Sequence, residues 1–468
     1  METTNRPVCA SCQRLQAQVD ALQAEMAQLR EQLAAARKDS STSSKPPSSD
    51  IVKPKPAAEG DAAKRSRGGQ PGHPKHDREP FPPGQVTHFE EHTLAVCPCC
   101  GGPLRRNGPC AKVVQQVDIA KPPLVIEQHT SPEYWCDHCQ KPYKAPMPPH
   151  IDKGGLVGLE LTALIAFLKG ACHASFSTIR TFLRDVVGVT LSRGELSKIL
   201  GKVTQALDKP YEELLLLLPN EAIVNVDETG HKDNGDRWWT WCFRAELYTL
   251  YHLDAHRSAD VLMDLLGKEF QGLLGCDYFS AYRRSRRECG VRLQFCLAHL
   301  IRDVKFLTTL PDACDRRYGE DLRVALKALF EVFHQRERLD EGVLAARLQA
   351  ARDEVLRVGL AGPATQHGQN MAKRFRDHGA AYFTFVTTPG VEPTNNLAEQ
   401  AIRFVVIDRH ITQGTRSQGG RQFCERMWTV IATCVQQGKS VYSFLREAVG
   451  SWWAGEPAPS LRPLPGNR

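Results

Sequence analysis

The spacing of apolar positions divides the chain into unlike segments. Between residues 13 and 38, Leu15, Val19, Leu22, Met26, Leu29 and Leu33 alternate spacings of four and three. That is the a/d seam of a coiled coil, with Leu at every d position. Glu25 at g and Arg30 at the following e suit a pair between parallel strands, so the segment predicts a homodimer or higher assembly. Packing on the chain's own body is the other reading. From 39 to 84 the periodicity disappears. "DSSTSSKPPSSD" and "KRSRGGQPGHPKHDREPFPPG" cannot build a core and read as a disordered basic linker. Lys64, Arg65 and Arg67 either touch phosphates there or merely solvate a tether.

Helical spacing returns between residues 156 and 207. "LELTALIAFLKG" is an apolar helix, and "SFSTIRTFLRDVVGVTLSRGELSKILGKVTQAL" reads as helix, turn, helix. Gly188 marks the break, and Ser192 with Glu195 three residues on forms a capping box. A helix-turn-helix would present Arg193, Ser197 or Lys198 to a major groove. Plain helix packing explains the same pattern.

The pattern then changes to strands. "EAIVNVDETG" runs three apolar residues, Ile223, Val224 and Val226, into Asp227 and Glu228. A charge there must be paired, exposed at a strand end, or bound to a metal. "DNGD" is a type I′ hairpin signal, and "RWWTWCFRA" and "LYTLYHLDA" after it are aromatic, partly alternating strands. "SADVLMDLLGKEF" is an amphipathic helix, and "GLLGCDYFSAY" is a short strand that again ends in an acid, Asp277. Three antiparallel strands, a helix and a strand beside the first is the order of a ribonuclease-H-like domain, which brings Asp227 and Asp277 together. Two close carboxylates repel unless a cation sits between them, and oxygen-only ligands favour Mg²⁺ or Mn²⁺. Adjacent strand residues face opposite ways, so Glu228 should pair with a nearby base instead of sharing the metal.

Composition adds limits. The 468 residues suffice for several domains, and 41% apolar with 24% charged residues is ordinary for a globular protein. The net charge of +7 permits a nucleic-acid partner. No window reaches membrane-span length and the N-terminus lacks a signal-peptide pattern, which predicts a cytoplasmic, nucleoid-associated protein with no membrane partner. Sixteen cysteines should then be thiols or metal ligands. Cys97 with Cys100 and Cys136 with Cys139 form two CxxC knuckles, a four-thiolate structural Zn²⁺ site, for which Cys99 is a substitute ligand. Nothing completes Cys9 and Cys12, which read as free thiols.

A third acid is offered by "PTNNLAEQAIRFVVI". Glu399 lies in the first turn of that helix, with Arg403 one turn on. Spacing alone leaves two readings: a metal ligand, or a capping box from Asn396 with an i,i+4 pair to Arg403. The intervening 311–388 is helix-rich and reads as an insertion.

"VDETG", "CDYFSAY", "CLAHLIRD" and "TNNLAEQAIR", in this order, resemble the transposases of the insertion-sequence-66 family. So do "ARKDSSTSSKPPSSD", "GGQPGHP", the double CxxC and the helix-turn-helix. The resemblance covers nearly the whole chain and implies a DDE-type nuclease core with Asp227, Asp277 and Glu399 as its acidic triad. Leu297 stands where many relatives carry Trp, and Gln400 where Arg is common. Both departures bear on secondary DNA contacts and leave the triad intact.

The expected organisation is therefore multidomain α/β. It comprises a coiled coil (13–38), the linker (39–84), a zinc-binding domain (85–150), a helix-turn-helix DNA-binding domain (151–210), a catalytic domain (220–450, insertion about 311–388) and a tail (451–468). The expected reaction is metal-dependent cleavage of DNA at the ends of an insertion sequence and strand transfer into target DNA. His299, Arg403, Arg283 and Arg284 would contact phosphate, with Arg409, Arg416, Arg421 and Arg426 as further basic candidates. For His299 a hydrogen-bonded core role is the alternative. Accessory proteins encoded by the element are further candidate partners. The rival functions are a DNA-binding regulator with an inactive core and a nuclease that cleaves without joining.

Overall fold

The computed structural model describes residues 10–38, 80–86, 99–103, 123–131, 133–138, 140–144 and 146–463. Two compact units emerge, one of residues 1–54 with 129–468, the other 55–128. The second unit is described only at three short stretches, including a turn of 3₁₀-helix at Pro83–Gln85. Cys9, Cys97, Cys139, Lys64, Arg65 and Arg67 lie outside the described residues, as do the side chains of Cys12 and Cys136. The zinc-site and basic-linker expectations fall there. Cys99 and Cys100 are exposed.

Helix α1 (Ala10–Ala36) carries the heptad seam. Its six apolar residues are 44–64% exposed, so among the described residues the seam is left open. A hairpin of β1 (Glu133–Cys136) and β2 (Lys141–Lys144) precedes α2 (Pro149–Gly154) and α3 (Leu159–Gly170). α4 (Phe176–Phe182) runs through a π-turn to Gly188, whose φ of 88° ends the helix as expected. α5 (Arg193–Ala206) starts where Ser192 accepts a hydrogen bond from the Glu195 backbone N–H at 3.0 Å. α6 (Asp208–Leu217) leads into the sheet.

The sheet consists of β3 (Ile223–Asp233), β4 (Asp236–Arg244), β5 (Thr249–Asp254), β6 (Leu273–Cys276) and β7 (Arg292–Phe295), in spatial order β5-β4-β3-β6-β7. β3, β4 and β5 are antiparallel; β6 runs parallel to β3, and β7 parallel to β6. Asn234 and Gly235, at φ 52° and 95°, make the tight hairpin that their sequence requires. α7 (Ala259–Leu266) and α8 (Ser280–Cys289) flank β6, and α9 (Leu297–Leu307) follows β7. The expected helical insertion is α10 (Ala313–Phe333), α11 (Glu341–Leu360), α12 (Gln366–His378) and α13 (Thr384–Thr387). α14 (Asn396–Thr412), α15 (Gln418–Gln436) and α16 (Val441–Ala454) complete the chain.

α14 lies along β3 and β4, and α15 along β5. The edge strand β5 is protected by a periodicity match. Its backbone N–H groups at Thr249, Tyr251 and Leu253 donate to side chains of Thr433, Thr429 and Glu425 at 3.2, 3.0 and 2.8 Å. Two strand residues advance about 6.7 Å and four helical residues about 6.0 Å, so the ladders stay in step. An edge that would otherwise template another chain is closed.

Two expected boundaries differ. The 151–210 segment shares a core with the C-terminal helices, because α3 and α5 pack on α15 and α16. A Cβ on Gly170 would fall 2.5 Å from Met427. The tail beginning at 451 is also packed in part. Trp453 and Leu461 are buried, and Lys153 Nζ donates to the carbonyls of Trp452 and Trp453 at 3.0 and 2.8 Å.

Candidate active site

Asp227 does not end its strand, as the sequence suggested. β3 continues to Asp233, held by β4. What ends is the pairing on the other side, since β6 matches only Ile223–Asn225. Asp227 thus sits where the sheet opens, one residue past Val226. Asp277 follows the last residue of β6. Each acid has one oxygen engaged by backbone: Glu228 N–H donates to Asp227 Oδ1 at 2.9 Å, and Phe279 N–H to Asp277 Oδ1 at 2.8 Å.

Glu399 comes from the first turn of α14. Asn395, at the N-cap, makes no side-chain cap; its buried amide bridges to β3 instead. Asn395 Nδ2 donates to the Val226 carbonyl at 2.8 Å and its Oδ1 accepts from Asn225 Nδ2 at 2.9 Å. Gly275 makes room, because a Cβ there would fall 2.3 Å from Asn225 Nδ2. This bridge fixes the start of α14 against the strand residue beside Asp227. The capping box and the Glu399–Arg403 pair are not what holds Glu399. Its carboxylate faces α9, with Oε1 3.5 Å from His299 Nδ1 and 3.9 Å from Cys296 Sγ, and Oε2 3.9 Å from Arg302 Nη2. Arg403 is exposed.

Electrostatics separates the two acids on β3. Burial first, then the charges of Glu228, Asp277 and Glu399, hold the Asp227 carboxyl well above the usual carboxylate range. No protein cation is among the causes, so the charges that act on Asp227 are all of its own sign. Glu228 faces the other side, as alternation requires, and takes Arg257 Nε and Nη2 on Oε1 at 2.8 and 2.5 Å and the Tyr282 hydroxyl on Oε2 at 2.5 Å. Burial and Asp277 still raise its pKa, against the lowering effect of Arg257 and Tyr282.

His299 is buried, and burial depresses its pKa. Arg283 and Arg284 lie on α8 and line a 660 Å³ cavity together with Arg257, Arg286 and Arg287, opposed by Asp377. Arg257 is held by Glu228, and Arg284 by Asp260 and Glu288. Buried Arg283 Nε and Arg286 Nη1 have no hydrogen-bond partner among the described residues. A second cavity, of 500 Å³, shares Arg283, Asp377 and His378 and adds Tyr278, Lys373 and Arg374, extending the basic lining to α12. Arg193 and Lys198 are not brought to the acids. They are exposed on α5, where Arg193 Nη2 donates to Ser177 Oγ at 2.9 Å.

Other basic candidates are spent internally. Arg409 bonds Thr229 and the Gly230 carbonyl, Arg421 pairs with Asp233, and Arg426 with Asp208. Arg416 is exposed. The sequence reading missed Arg257 and Tyr282 as partners of Glu228, and the bridging role of Asn395. It also missed Cys296 beside Glu399, although Cys296 and His299, three apart at a helix start, share a face.

Residues 154–422, more than half of the chain, match the family described as Transposase IS66 family. Residues 4–79 match a family of unknown function. An uncharacterized protein of Sinorhizobium fredii, y4hP, is 24% identical over 384 residues, covering 72% of this chain and 67% of the relative. With the family match spanning the sheet, the insertion and all three acids, the chain belongs to the IS66 family of transposases.

Proposed function

We propose that this chain is a DNA strand-cleaving and strand-joining transposase. Its five-stranded sheet serves as a ribonuclease-H-like core, and Asp227, Asp277 and Glu399 are its metal-holding acids. The observation that carries the reading is that β3, the end of β6 and α14 bring Asp277 and Glu399 near enough to act on Asp227, whose carboxyl is held well above the usual carboxylate range by burial first and then by the charges of Glu228, Asp277 and Glu399. The donor set fits Mg²⁺ or Mn²⁺: all oxygen, each aspartate with one oxygen already oriented by a backbone N–H. Such ions, when bound, activate the attacking oxygen and stabilise the leaving one in phosphoryl transfer.

The rest of the machinery binds and orients. The arginines of α8 and the α12 lining supply donors for DNA phosphates, with Arg283 and Arg286 having buried N–H groups to offer. α4 and α5 present Ser197 and Lys198 to the terminal repeats. The exposed α1 seam pairs two chains, and the paired CxxC knuckles hold Zn²⁺ as a structural ion. Among the described residues no helix is long and apolar enough to cross a membrane.

The test is a cleavage and joining assay on DNA carrying the element's ends, with and without Mg²⁺, comparing the native chain with Asp227→Asn. Metal-dependent nicking and joining by the native chain alone is expected. Equal activity in both, or none in either, refutes the proposal.

A further inference from the structure

Cys296, His299 and Glu399 each offer a ligand atom, and the three atoms lie within 4.8 Å of one another. Two of the three pair distances are a little longer than those around a common tetrahedral ion. Bond lengths typical of zinc put N and O ligands about 3.3 Å apart and S and O about 3.5 Å apart. Here His299 Nδ1 to Glu399 Oε1 is 3.5 Å, and Cys296 Sγ to Oε1 is 3.9 Å. A separate observation points the same way. His299 is only 8% exposed, yet its Nδ1 has no hydrogen-bond partner among the described residues. A buried ring nitrogen without a partner is costly unless something else uses its lone pair.

We propose that Cys296, His299 and Glu399 form a zinc site distinct from the Mg²⁺ site, and that the two sites compete for Glu399. Thiolate and imidazole suit zinc and disfavour magnesium. On binding, the Cys296 thiol gives its proton to solvent. The ligand set then carries two negative charges, which balance the ion. Three protein ligands leave a fourth position open. Cys296 is pre-positioned by Asn395, whose backbone N–H donates to Sγ at 3.2 Å. The same Asn395 side chain is anchored on β3, so the soft site and the three acids are linked through one residue. Zinc here would hold the third acid at α9 and weaken Mg²⁺ binding by the other two. This second consequence rests on the function proposed above; zinc binding itself does not.

The full chain is stripped of metal, reloaded with excess zinc and desalted, and its zinc content is read with a chromophoric chelator. Cys296→Ser, His299→Gln and Glu399→Gln are treated alike, with thermal unfolding as the check on folding. Any zinc at the CxxC knuckles is common to all four proteins and cancels. The expected result is one zinc ion fewer per chain in each folded variant. In the cobalt-loaded native chain a thiolate charge-transfer band should weaken on Cys296→Ser. Equal zinc content in the native chain and the folded variants overturns the site. Mg²⁺ titration then separates the two claims. Zinc should raise the apparent Mg²⁺ Kd in the native chain and not in Cys296→Ser. A zinc difference with no Mg²⁺ binding by the native chain would refute the proposed function and leave the zinc site standing.

Discussion

Asp227 and Glu228 are neighbours on one strand with the same charge, and the protein treats them oppositely. Glu228 is met by a guanidinium and a phenol, three hydrogen bonds in all. Asp227 receives one backbone N–H and the repulsion of three other acids. One side of β3 neutralises its charge with protein groups. The other offers Asp227 no protein cation, so its charge is relieved by a proton or by a bound cation. A fold that can bury a satisfied carboxylate one residue away has no structural need for an unsatisfied one, and that contrast is what supports the proposed catalytic role of the Asp227 side.

The contrast between the two acids can be tested directly. The largest effect is expected on activity. Asp227→Asn or Glu399→Gln should reduce Mg²⁺-dependent strand cleavage by about 10³-fold, the scale of several kcal/mol of lost charge stabilisation. Folding should survive, and in metal-free buffer Asp227→Asn should melt higher than the native chain. A lower melting temperature would mean that Asp227 is structural. Glu228→Ala should do the reverse, costing about 2–4 kcal/mol in urea unfolding because Arg257 and Tyr282 lose their acceptor. A loss near zero would remove the distinction between the two acids.

Asn395→Ala tests the link between the two regions. It removes the α14–β3 bridge and should cost about 1–3 kcal/mol of stability while raising the apparent Mg²⁺ Kd. Unaltered Mg²⁺ affinity would show that Glu399 is positioned by other means. The smallest effect is a pH slope. A carboxylate with a raised folded pKa holds its proton to higher pH in the folded chain. Metal-free stability should therefore fall as pH rises from the ordinary carboxylate range through Asp227's raised value, by at most about 1.4 kcal/mol per pH unit per group. Glu228 contributes in the same direction and its charge acts on Asp227, so the native-minus-Asp227→Asn difference reports Asp227 together with its coupling to Glu228. Added Mg²⁺ should flatten that difference, and a difference indifferent to Mg²⁺ would count against metal binding there.

Much of this was legible in the sequence because it depends on local rules. The Asn234–Gly235 hairpin, the amphipathic α7, the break at Gly188 and the Ser192 cap each follow from a few adjacent residues. The opposite facing of Asp227 and Glu228 follows from the two-residue period of a strand. Errors arose where a local rule competed with a distant partner. Asn395 could cap its own helix, yet its amide is worth more bridging to Val226 across the core. Arg409, Arg421 and Arg426 read as free basic charge, and each found an internal acceptor far away in the chain.

Local patterns were enough for the order of strands and helices, the heptad spacing of α1 and which acids stand beside apolar strands, because periodicity and turn chemistry act over a few residues. The packed fold set the rest: β6 stops short of Asp227, Asn395 ties the start of α14 to β3, and Cys296 and His299 share Glu399's carboxylate. Those outcomes join residues 50 to 170 positions apart. Their energy comes from burial and from satisfying buried polar groups across the core, which no local pattern encodes.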